Sequence, residues 1–75
     1  MANNDDAHVT RTLRMKDLPE KVGLRPSTIH ALVAQGRFPA PFKLLPGGRA
    51  VGWLETTVDD WLGKQIERQR SEVNQ

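Results

Sequence analysis

The chain has 75 residues, no cysteine and two histidines, with 11 lysines and arginines against nine acids for a formal charge of +2. A chain this short buries one small core. Lack of cysteine excludes disulfides, thiolate metal sites and a thiol nucleophile, and His8 and His30 lie too far apart to suggest a metal site. No apolar run approaches the roughly 20 residues a membrane span needs. The amino terminus lacks the basic-then-apolar order of a signal peptide. The expectation is a cytoplasmic protein without a membrane partner, metal or cofactor.

The charges are segregated. Between Lys21 and Leu54 there is no Asp or Glu, while Lys21, Arg25, Arg37, Lys43 and Arg49 all fall there. Asp17 and Glu20 precede this stretch, and Glu55, Asp59, Asp60, Glu67 and Glu72 follow it. Such a distribution gives a basic face, the usual footprint of a phosphate-binding surface.

Residues 1–10, "MANNDDAHVT", read as a polar leader without fixed structure. "TLRM" then alternates Leu13 and Met15 with Arg14 and Lys16, the period of a short strand. "KDLPEKVG" reads as a short first helix ended by Gly23, with Asp17 and Glu20 spaced as a capping box and Leu18 and Val22 inward. After "GLR" comes the second helix, with Pro26 at its first position and Gly36 just past its end. Ile29, Leu32 and Val33 form its buried stripe; Ser27, Ala31 and Ala34 lie opposite, flanked by Thr28, His30 and Gln35. Two short helices joined by a tight glycine-containing turn describe a helix-turn-helix. In that motif the second helix, here Arg25–Gln35, enters the major groove and its amino-terminal residues meet base edges.

Beyond "RFPAP", the runs "FKLL" and "RAVGW" flank Pro46-Gly47-Gly48, a hairpin signal. A basic hairpin carrying Lys43 and Arg49 directly after a helix-turn-helix is a wing. Leu54, Val58, Trp61, Leu62 and Ile66 then recur at helical spacing, with acids early and bases late. This third helix is expected to fray beyond Arg70, leaving residues 71–75 as a tail. The expected fold class is α+β, mainly helical: a winged helix-turn-helix of three helices and a small β-hairpin wing over residues 11–70.

Catalysis has little support. Ser27 and His30 have no orienting acid nearby in sequence, and adjacent Asp59 and Asp60 point in different directions and cannot form a facing pair. Donors in a DNA-binding role are better placed. Ser27 and Thr28 suit base contact, Arg25 a phosphate or guanine, and Arg49, beside Gly48 at the hairpin tip, a phosphate. Arg37 and Lys43 act as electrostatic helpers. His30, half-exposed on the same helix, has the weakest claim, and Trp53 and Trp61 read as core.

The run "LRMKDL…VGLRPSTIHALVAQGRFPAPFKL…GGRAVGWLETTVDDWL" resembles the AlpA family of prophage regulators, relatives of phage excisionases with a MerR-like winged-helix fold. The resemblance covers Leu13 to Leu62, and "STIHALVAQGRFP" and "GRAVGWLE" are its most specific pieces. It implies a small double-stranded-DNA-binding protein of a prophage, satellite or integrated island, acting on integrase-gene expression or, as an excisionase, on excision itself. Arg25 and Pro26 stand where the family commonly has Ser and a basic or polar residue, which removes a side-chain helix cap worth about 1 kcal/mol. His30 and Ala31 occupy two helix positions where the family often carries Tyr and Arg. A single module of this size buries only about 600–1,000 Å² against DNA, so cooperative assembly of several copies on repeated half-sites is expected. The rival from another class is a protein-interaction module that docks through the acidic third helix.

Overall fold

The computed structural model describes residues 11–73, with side chains to Arg70. The expectations for the leader 1–10 and the side chains of 71–75 lie outside the described residues. In chain order the elements are β1 (Thr12–Leu13), a 3-10 turn (Met15–Asp17), α1 (Leu18–Val22), α2 (Pro26–Ala34), β2 (Phe42–Lys43), β3 (Val51–Leu54) and α3 (Glu55–Val73). The three strands form one antiparallel sheet in the order β1-β3-β2. Three helices and a small sheet thus make the α+β, mainly helical winged helix that the patterning implied.

The strand read in "TLRM" stops at Leu13, and Met15 opens a 3-10 turn instead. The cause is Asp17. Its carboxylate accepts the Arg14 N–H at 2.9 Å, and its own N–H donates to the Arg14 carbonyl at 2.9 Å. Those two bonds bend the chain out of the strand; the carboxylate caps the turn before α1 and makes no cap hydrogen bond to α1 itself, so the box expected from Asp17 and Glu20 does not form. Met15 still packs against the core.

Leu13, Leu18, Ile29, Phe38, Trp53 and Val58 form that core, one each from β1, α1, α2, β3 and α3, with Phe38 from the loop after α2. Ile29 is fully buried, with Leu32 and Val33 packed partly buried beside it, as the helical spacing predicted. α2 ends in a Schellman motif: the Arg37 N–H reaches the Leu32 carbonyl at 2.8 Å and the Gly36 N–H the Val33 carbonyl at 3.1 Å. That closure needs the left-handed φ of 72° found at Gly36. α3 departs from its pattern at both ends. Leu54 belongs to β3, and Ile66 is 54% exposed, on a face of α3 that no other element covers.

Candidate nucleic-acid interface

The loop after α2 sets where the hairpin stands. Pro39 and Pro41 have no N–H to donate, and the loop's carbonyls find donors elsewhere. Trp53 Nε1 donates to the Pro39 carbonyl at 2.7 Å, and Trp61 Nε1 to the Arg37 carbonyl at 2.8 Å. Between them sits Phe38, with ring centroids 6.2 Å from Trp53 and 4.7 Å from Trp61 in edge-to-face geometry. Both tryptophans were legible as inward-facing. Their polar ends, which pin the connection between helix and hairpin, were not. The only sequence signal for this was the proline-rich loop itself.

In the hairpin, Phe42 lies opposite Gly52 and Lys43 opposite Val51, and the Leu44 N–H extends the ladder to the Ala50 carbonyl at 3.0 Å. Successive strand residues point to opposite faces, so Phe42 shares Gly52's side of the sheet, away from Trp53, and is 42% exposed. Lys43 is exposed as well. The tip is closed by the Gly48 N–H on the Leu45 carbonyl at 3.0 Å, with Pro46 and a left-handed Gly47 (φ 75°) at its centre. Pro then positive-φ Gly is the type II pattern. Gly48, partly buried, follows it and Arg49 projects exposed from the ascending side.

At the cap and along α2, Arg25, Ser27, Thr28, His30 and Ala31 are all exposed. At 3.6 residues per turn Ser27 and Ala31 lie almost directly opposite buried Ile29, with Thr28 and His30 on the two flanks. Arg25 precedes the helix in extended geometry and makes no side-chain cap hydrogen bond. The Ser27 and Thr28 amides therefore have no acceptor in the helix and face outward with its positive dipole end. Arg37, also exposed, is steadied by a 3.1 Å bond from Nη1 to Gln35 Oε1. Among the described residues no carboxylate comes within ion-pair distance of Arg25, Arg37, Lys43 or Arg49.

Lys21 leaves the basic stretch. Its ammonium lies 2.7 Å from Asp59 and 3.0 Å from Glu55, tying α1 to the start of α3. Hydrogen bonds to Asp59 and then Glu55 raise its pKa above the ordinary 10.5. The stabilisation is therefore fully present below 10.5 and lost as pH rises through the raised value. Urea midpoints of wild type and Lys21→Met should differ near neutrality and converge at more alkaline pH. A gap that stays constant across that range would mean the ammonium charge contributes nothing.

A helix-turn-helix with an outward, acid-free second helix and a basic hairpin behind it is a winged-helix scaffold. The chain belongs to the family described as prophage CP4-57 regulatory protein (AlpA), which matches residues 11–66. It is also 38% identical over 56 residues to an uncharacterised protein, ORF88, of Enterobacteria phage P4, covering 75% of this chain and 61% of that relative. The chain thus spans less than two thirds of the length of the relative. No solved structure matches.

Proposed function

We propose that this protein is a sequence-specific, double-stranded-DNA-binding transcriptional regulator of a prophage or integrated element, acting in the cytoplasm without catalysis. In this reading α2 enters the major groove and the hairpin lies along the backbone. The observation that carries it is the outer face of α2: small, polar, free of acids, with two unpaired amides and Arg25 at its leading end. Ser27 and Thr28 read base edges, Arg25 meets a phosphate or guanine, and His30 and Ala31 line the same face. Arg37, Lys43, Arg49 and the backbone at Gly48 serve phosphates. Membership of a family of prophage regulators supports the biological setting.

The test is a salt titration of variants on a cognate site and on random duplex. Arg49→Ala should weaken both DNAs alike and reduce the salt slope by about one, because a hairpin tip reaches phosphate before base edges. Ser27→Ala or Thr28→Ala should cost on the order of 1–3 kcal/mol on the cognate site and little on random DNA. If Arg49→Ala spares random DNA while the helix variants weaken both equally, the two elements have the opposite roles.

A further inference from the structure

A cleft of about 480 Å³ lies between the end of α2 and α3, away from the leading end of α2. Leu32, Phe38 and Trp61 contribute apolar surface, and Arg37, Lys64 and Arg68 supply three positive charges. No acid lines it. Such a space is too large for one phosphate, and its apolar surface offers nothing to one. It suits a protein surface that brings carboxylates together with some apolar contact, and half-buried Trp61 is the kind of residue that anchors such contacts.

The same molecule carries a surface of that chemistry. Asp17 and Glu20 line a shallow depression with Lys21 and Arg11, and Lys21 draws in Glu55 and Asp59 from α3. Four carboxylates there face two cations. At 3.6 residues per turn, Lys64 and Arg68 lie about 140° and 180° around α3 from Asp59, while Glu55 lies only about 40° from it. Acidic patch and basic cleft thus occupy opposite sides of one helix. A single chain cannot bring them together.

We propose that the basic cleft of one copy receives the acidic patch around Lys21 of a second copy, head to tail. Each contact leaves the patch of one copy and the cleft of the other unused, so it repeats along an open row rather than closing into a symmetric pair. It involves no DNA and does not rest on the DNA-binding reading; on repeated half-sites it would supply cooperativity between neighbours.

The experiment uses the full chain alone, by sedimentation equilibrium over a concentration series at low salt. Average mass should climb above the 8.4 kDa of one chain, and fall back as salt rises from about 50 to about 500 mM. Lys64→Glu and Arg68→Glu, which spoil the cleft, should each weaken association at least roughly tenfold, and so should Glu20→Lys, which spoils the patch. All three residues are exposed, and circular dichroism checks that each variant folds. Mixing Arg68→Glu with Glu20→Lys should restore association that neither shows alone, since each retains the half the other lacks. A mass fixed at one chain, association indifferent to all three substitutions, or a mixture no better than its components would overturn the proposal. So would loss of association for Glu20→Lys alone, with both cleft variants unaffected.

Discussion

Phe38→Ala is expected to destabilise the fold by about 3–5 kcal/mol, the cost of emptying an aromatic site in a close-packed core. Phe38 is 4% exposed and meets the edges or faces of both tryptophans. Each such aromatic pair adds about 0.5–1.5 kcal/mol beyond burial. The site cannot collapse easily, because the loop on either side of Phe38 is held by the two indole N–H groups. For a domain this small, each kcal/mol shifts the midpoint by roughly 4–8 °C, so melting should fall by about 12–40 °C. Thermal unfolding followed by circular dichroism measures it. A loss under about 1 kcal/mol would mean the loop is not a structural pin. Because the same loop joins α2 to the hairpin, DNA binding by Phe38→Leu, which keeps most of the volume, should fall more than its stability does.

Gly52→Ala and Gly63→Ala should shift stability in opposite directions. Gly52 sits in β3, the central strand, and a Cβ there would stand 2.9 Å from the Leu13 carbonyl oxygen, 3.0 Å from Thr12 Cγ2 and 3.3 Å from Leu44 Cδ2. The first of these is backbone of β1, held by pairing of Leu13 with Trp53 and Thr12 with Leu54. It has no room to yield without loosening the ladder. Overpacking of this kind costs about 1–3 kcal/mol for one methyl, and Gly52→Val should cost more. Gly63 lies exposed within α3, with nothing within 4 Å of a new Cβ. Alanine there should stabilise by about 0.5–1 kcal/mol through helix propensity. Urea unfolding of both variants is the measurement. A neutral Gly52→Ala would show that β1 moves freely against β3.

Whatever repeats within one element could be read directly from the order of residues. The inward stripe of Ile29, Leu32 and Val33, the end of α2 at Gly36 and the Pro-Gly hairpin turn all follow from spacings of a few residues, where local geometry leaves little choice. The outward set of Arg25, Ser27, Thr28, His30 and Ala31 was legible for the same reason. The family followed from the short motifs "STIHALVAQGRFP" and "GRAVGWLE", each legible within one or two neighbouring elements. The tertiary structure decided what depends on distant partners. Trp53 reaches across 14 residues to Pro39, Trp61 across 24 to Arg37, and Lys21 across 34 to Glu55. A linear count put Lys21 in the basic stretch; α3 neutralises it. Gly52 was only one letter of the run "RAVGW" beside the hairpin turn, and the carbonyl of a neighbouring strand is what leaves no room for a side chain there. Ile66 kept the helical period yet lies exposed, because periodicity records which way a side chain points and only packing decides whether anything is there to meet it.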